Sequence, residues 1–321
     1  MTNRFLRNYI IVGLLVTITG GFILFQCLPD IKYPAIKSDP TIWDVPDING
    51  LPRTPEAGLI RYGRELIVNT SVYLGPKGRI ASMSNGMNCQ NCHLEAGTRI
   101  RGNCFALVAS TYPKFRPRSG RQESIEFRVN DCMERSLNGK KLDSLSKEMR
   151  ALVAYLKWLG KDVPKDNKLI GMGIPQLPFL ERAASAEQGK KVFSLTCRRC
   201  HGENGEGQLK PDSSGYIYPP LWGSHSYNIS AGIYLVSRLA CYVKYNMPYF
   251  ETQTEPQLLD DEAWDVAAYI CSQPRPVKRF KTDWPVLSTK PVDFPFGPYT
   301  DSFSELQHKY GPFAVIKKRH P

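Results

Sequence analysis

Apolar residues recur at helical spacing in four stretches of the chain, and the four form two similar pairs. TPEAGLIRYGRELIV offers Thr54 as an N-cap and Pro55 at the first helical position, where its missing N–H is no loss. Leu59, Tyr62, Leu66 and Ile67 then fall on one face. SAEQGKKVF repeats the opening with a capping box from Ser185 to Gln188, and again sets a glycine four before an apolar residue, Gly189 before Phe193. Each opening helix is answered downstream by a second stripe. Met149, Leu152, Val153 and Leu156 form one, closed by Gly160; Trp264, Ala267, Ala268 and Cys271 form the other, closed near Pro274. No segment is strand-rich, so the expected fold class is all-α.

Glycine, proline and lysine gather between the pairs in GKDVPKDNKLIGMGIPQLP. The expected organisation is a first domain over residues 30–165, a linker over 166–180, and a second domain over 181–321 that ends in a long irregular tail. Ahead of both, Tyr9 to Leu28 runs for twenty residues without a charge behind Arg4 and Arg7. That length spans a hydrocarbon core of about 30 Å. No small-x-small cleavage site follows, and bulky residues precede Cys27, so residues 1–29 are expected to be an uncleaved signal-anchor. The arginines then stay cytoplasmic and the rest is exported, to the periplasmic side of a bacterial inner membrane. A cleaved signal leaving a soluble periplasmic chain is the alternative.

Composition changes the picture little. A chain of 321 residues with 42% hydrophobic and 22% charged content folds, as about two domains, and 25 prolines with 25 glycines imply long constrained loops. The net charge of +12 suits an anionic substrate or an acidic partner. No lysine-rich tail or basic run with interleaved aromatics accompanies it, which argues against nucleic acid.

The cysteines are more informative. Four of the nine fall in CQNCH (Cys89, Cys92, His93) and CRRCH (Cys197, Cys200, His201). Cys-x-x-Cys-His is the attachment signature of c-type haem, with two thiols bonded to the porphyrin and the adjoining histidine on the iron. A zinc ribbon needs its four ligands together, and a redox dithiol needs no histidine. Two covalently bound haem c groups are therefore expected. Helix, haem motif, loops and closing helix make a cytochrome c domain written twice.

The sixth iron ligand decides the chemistry. In the second domain Met247, in KYNMPYF, stands 46 residues beyond His201 and before the last helix, where a thioether reaches iron; His225 is the weaker rival. The first domain has no such loop. There Cys132, in RVNDCMERSLNG, stands 39 residues beyond His93 among arginines and acids, and a cysteine in cationic company is typically a reactive thiolate. Cys104 reads instead as a buried thiol on CFALVA, with Met133 and Met149 as outside candidates.

RVNDCMERSLNGKKL followed by EMRALVAYLKWLG resembles the bacterial dihaem thiosulfate dehydrogenases, which interconvert thiosulfate and tetrathionate. The likeness extends to NMPYF, to DVAAYICSQPRP and to KPVDFPFGPYTDSFSELQHKYGPF, covering most of residues 55 to 315. It implies a catalytic first haem ligated by His93 and Cys132 and an electron-exit second haem ligated by His201 and Met247. It also implies substrate-holding arginines at Arg118 and Arg128, with Arg135 a further candidate, and a c-type cytochrome or similar carrier as electron partner. Some relatives carry a lysine where this chain has Asn246, which favours plain His/Met ligation. Cys104, Cys241 and Cys271 match no family role, and Cys241 and Cys271 are either a disulfide or two core thiols. Cys132 is expected to carry a sulfur-linked thiosulfate adduct that a second thiosulfate releases as tetrathionate. The rivals are an anchored electron-transfer cytochrome without its own substrate, and a dihaem peroxidase using Asp131.

Overall fold

The computed structural model of the chain describes residues 43–165, 172–252 and 255–319. Helix α1 (Pro55–Val68) begins where the Thr54 hydroxyl accepts from Ala57 N at 3.2 Å. A two-stranded antiparallel ribbon, β1 (Lys114–Arg116) with β2 (Arg121–Glu123), pairs Lys114 with Glu123 and Arg116 with Arg121. It delivers the chain into α2 (Ile125–Arg135), capped by Ser124, and then α3 (Lys147–Leu159), capped by Ser146. Helices α1 and α3 pack against each other at Gly63, where a side-chain carbon would overlap the Ala151 carbonyl.

The C-terminal half repeats the device. Helix α4 (Ala186–Val192) starts on Ser185, widens into a π turn over Phe193–Cys197 and tightens again over Arg198–His201. A second ribbon pairs β3 (Gln208–Leu209) with β4 (Tyr216–Tyr218). Helices α5 (Val236–Asn246) and α6 (Asp260–Ser272) follow, and α6 meets α4 at Gly189, whose added carbon would overlap the Asp265 carbonyl. Both helix crossings thus depend on a glycine whose position was visible in the sequence. The two short ribbons are an addition to the all-α expectation. Each is only two or three residues long and carries no strand-like hydrophobic alternation.

One continuous apolar core runs through both halves, from Leu66, Tyr155 and Leu159 to Trp264 and Ile270. Polar bonds stitch the seam above it: Ser71 Oγ donates to Ser214 O at 2.6 Å, Asn85 Nδ2 to Ser226 O at 3.0 Å, and Asn228 N to Arg135 O at 3.1 Å. The irregular tail closes the molecule with α7 (Glu305–Tyr310) and α8 (Phe313–Arg319). Phe313 of α8 packs 5.5 Å from Phe179 and 5.6 Å from Trp264, ring to ring. Between α6 and α7 the tail crosses to the first half, where Trp284 N donates to Arg118 O at 2.7 Å.

Cys241 and Cys271 are two core thiols and form no disulfide. Leu177 N donates to Cys241 Sγ at 3.3 Å, and Cys271 Sγ donates to Tyr234 O at 3.2 Å. The expected anchor over residues 1–29 and the linker residues 166–171 lie outside the described residues. Among the described residues no helix is long and apolar enough to cross a membrane.

Candidate active site

The two cysteine motifs sit on different backbones and present the same donors. In the first, Cys89–Asn91 forms a 3-10 turn, held as Asn88 N donates to Asn91 Oδ1 at 2.7 Å and Cys89 N to Thr70 Oγ1 at 3.0 Å. His93 Nδ1 lies 2.7 Å from Asn103 O, and its ring stacks on Phe105 at 4.3 Å. In the second, His201 Nδ1 lies 2.8 Å from Pro219 O. In each, Nδ1–H donates to a main-chain carbonyl, which leaves Nε2 of the neutral ring unprotonated. That is the tautomer an iron ligand needs. Burial pushes His93 down to about 4 and His201 below its ordinary value, so both imidazoles are neutral. The donor set fits c-type haem twice over.

Helix α2 brings Cys132 and its cations to the first motif. Cys132 is the largest influence raising the Arg128 pKa, and it acts on Cys89 and Cys92 as well. Arg128 also reaches His93 electrostatically and donates to Asp131 Oδ2 at 2.6 Å. The structure therefore gathers Cys89, Cys92, His93, Arg128 and Cys132 in one neighbourhood.

Arg118 and Arg135 differ in a way the sequence does not reveal. Arg135 is buried and fully engaged. It pairs with Asp131, forms a bidentate bridge to Asp283 at 2.7 Å on both arms, and stacks over Phe280 at 3.8 Å. Such a guanidinium has no charge left for a substrate. Arg118 has no carboxylate partner among the described residues: Nη1 donates to Ser230 O at 3.3 Å, and the head lies over Trp284 at 5.6 Å and Phe294 at 6.0 Å. Burial, reinforced by the neighbouring Arg135 charge, draws its pKa down to about 10 even though Asp131 and Asp283 pull the other way from beyond pairing distance. A partly desolvated cation with no carboxylate bonded to it is a seat for an anion.

Sequence reasoning missed three neighbours. Asp283 and Trp284 arrive from the tail, more than 100 residues from the cations they hold. Tyr112 feels both Arg128 and Cys132, and burial raises its pKa, so it presents a protonated phenol. No local signal marks any of them.

Met247 ends α5 as its C-cap, with Met247 N donating to Val243 O at 2.9 Å, and packs half-buried against the core. His225 is exposed in a turn. Met133 and Met149 are buried in the core, and Cys104 is half-buried against it.

Residues 80–164 match the family described as SoxA/TsdA, cytochrome c domain, and residues 186–274 match Cytochrome c. The fold and its two motifs thus define a dihaem c-type cytochrome, carrying one covalently bound haem c in each domain. Among curated relatives, a thiosulfate dehydrogenase of Psychrobacter arcticus is 36% identical over 77% of this chain and 72% of its own. Those of Allochromatium vinosum (36%, 70% of this chain, 84% of its own) and Stutzerimonas stutzeri (33%, 72% of each) are similar. The solved thiosulfate dehydrogenase (TsdBA) from Marichromatium purpuratum superposes with a TM-score of 0.67 at 30% identity. The match covers 73% of this chain and half of that longer one. The chain belongs to the thiosulfate dehydrogenase family.

Proposed function

We propose that this protein joins two thiosulfates into tetrathionate at the first haem and passes two electrons to a cytochrome acceptor, or runs the reaction in reverse. One observation carries the reading: Cys132 stands beside the first haem motif with Arg128 at hand and a second arginine, Arg118, lacking a carboxylate partner. A pure electron carrier has no use for a half-buried cation left open to an anion.

His93 and Cys132 would hold the first iron, His201 and Met247 the second. Bound haem supplies one-electron acceptors, one in each domain. The protein does the rest. Arg118 and Arg128 offer planar donors to sulfonate oxygens and offset the repulsion between two dianions. A bond forms between Cys132 Sγ and the outer sulfur of thiosulfate as two electrons leave, giving Cys–S–S–SO3⁻. The outer sulfur of a second thiosulfate then attacks the sulfane sulfur bonded to Cys132 Sγ, the Sγ–S bond breaks, and tetrathionate departs as the Cys132 thiolate returns. Atoms and charge balance in both steps.

The setting is proposed to be periplasmic, with the uncharged Tyr9–Leu28 stretch as anchor. The basic balance of the chain suits an acidic carrier as partner. The test is Cys132→Ala. It should abolish thiosulfate-dependent reduction of an acceptor while both haems stay attached, and retained turnover in that variant would overturn the covalent scheme.

A further inference from the structure

The loop that follows α5 and carries Met247 is held from outside its own domain. Asn246 is fully buried, and its Nδ2 donates both to Tyr242 O within α5 and to Arg101 O in the first domain, each at 3.1 Å. Two residues past Met247, the Tyr249 hydroxyl donates to Glu95 Oε1 at 3.1 Å. Its ring faces the Arg99 guanidinium at 4.8 Å, and Arg99 pairs with Glu95 at 3.1 Å. At the far end of the loop Glu251 pairs with Arg199, which lies inside the CRRCH motif. Upstream on α5, the Tyr242 hydroxyl reaches Asn91 O inside CQNCH at 3.4 Å.

Glu95, Arg99 and Arg101 belong to the short segment that leaves His93 and returns to it, since Asn103 O accepts from the His93 ring. Glu95, Ala96, Arg101 and Asn103 there adopt left-handed backbone, with φ of 55°, 58°, 61° and 61°. Non-glycine residues hold such conformations only where their surroundings over-determine them. The partner surface for the Met247 loop is therefore a rigid one, shaped by the first haem motif.

We propose that Tyr249 and Glu95 are positioning residues: they form a clamp between the domains that holds Met247 on the second haem iron from the first domain. The inference rests on the reading of Met247 as that ligand. A thioether is a weak, neutral ligand, and how often it is bound depends on how far its loop is already ordered. With the clamp closed the sulfur stays on the metal and favours reduced iron; with it open the sulfur leaves more often and the potential falls. The segment that orients His93 thereby also sets the driving force at the second haem.

The experiment compares the holoprotein with Met247→Ala, Tyr249→Ala, Glu95→Ala and Glu95→Gln by redox titration of the second haem and by its methionine-to-iron charge-transfer absorption. Met247→Ala should abolish the methionine signature. Tyr249→Ala and Glu95→Ala should weaken it and lower the reduced-to-oxidised ratio at fixed potential about tenfold, 59 mV for one electron. Glu95→Gln keeps an acceptor for the Tyr249 hydroxyl and should restore most of the shift. If Met247→Ala acts but Tyr249→Ala and Glu95→Ala leave signature and potential unchanged, the clamp is refuted and the ligand assignment stands. If Met247→Ala itself changes nothing, the ligand assignment fails and the clamp with it.

Discussion

Replacing Arg118 by Met deletes a positive charge while roughly keeping volume, and the structure says what should follow. The guanidinium bonds to a carbonyl and faces two aromatic rings, and among the described residues no carboxylate is ion-paired with it, Asp131 and Asp283 acting only at longer range. Its pKa of about 10, against the ordinary 12.5, measures the discomfort of the charged form. That is on the order of 3 kcal/mol at most, and solvent at this half-buried head reduces it. Removing the charge should therefore cost the fold little. A bound thiosulfate, by contrast, loses a charge-assisted hydrogen bond of about 1.5–3 kcal/mol. At about 1.4 kcal/mol per decade, kcat/KM should drop roughly ten- to hundredfold. Arg118→Lys keeps the charge without the planar fork and should fall between. The assay is steady-state reduction of an acceptor by thiosulfate, run beside thermal unfolding. A kcat/KM within twofold of the parent would refute the reasoning. So would a loss of rate matched by a comparable loss of stability, since Arg118 would then be holding the tail and not a substrate.

Other outcomes follow from packing and charge. Gly189→Ala would push a methyl into the Asp265 carbonyl and part α4 from α6, at about 1–3 kcal/mol and roughly 2–4 °C of melting temperature per kcal/mol. Gly58→Ala, on the open face of α1 with nothing nearby, should instead stabilise by about 0.5–1 kcal/mol, and equal effects at the two positions would contradict the packing account. Burial opposes ionisation of Asp131, but Arg128 and Arg135 outweigh it and hold its carboxyl below the usual value. Its contribution to stability is thus present above the ordinary carboxylate pKa and lost as pH falls through the lowered one. Denaturant titrations of Asp131→Asn should show the variant about 1–3 kcal/mol weaker at pH 7 and converging with the parent in strong acid; a gap that persists to low pH would speak against this.

The sequence by itself determined whatever depends on covalent spacing and local periodicity. Cys-x-x-Cys-His can be read twice because thioether attachment and proximal ligation need three side chains within one turn of backbone. The helices begin at Thr54, Ser124, Ser146 and Ser185 because each side chain accepts from an N–H three residues on. Gly63 and Gly189 were in place in each opening helix, and the structure shows their use, because only a residue without a side chain lets two backbones come that close. The tertiary structure alone decided which arginine is spent and which is open. Arg118 and Arg135 look alike along the chain, but the carboxylate of Asp283, 148 residues beyond Arg135, forms its bidentate bridge with Arg135 and acts on Arg118 only at longer range. It decided too that Cys241 and Cys271 bond to different main-chain partners and not to each other, and that the Met247 loop leans on Glu95 of the other domain. Charge neutralisation, burial and clamping depend on separation in space, and residues far apart in sequence acquire that only when the core closes.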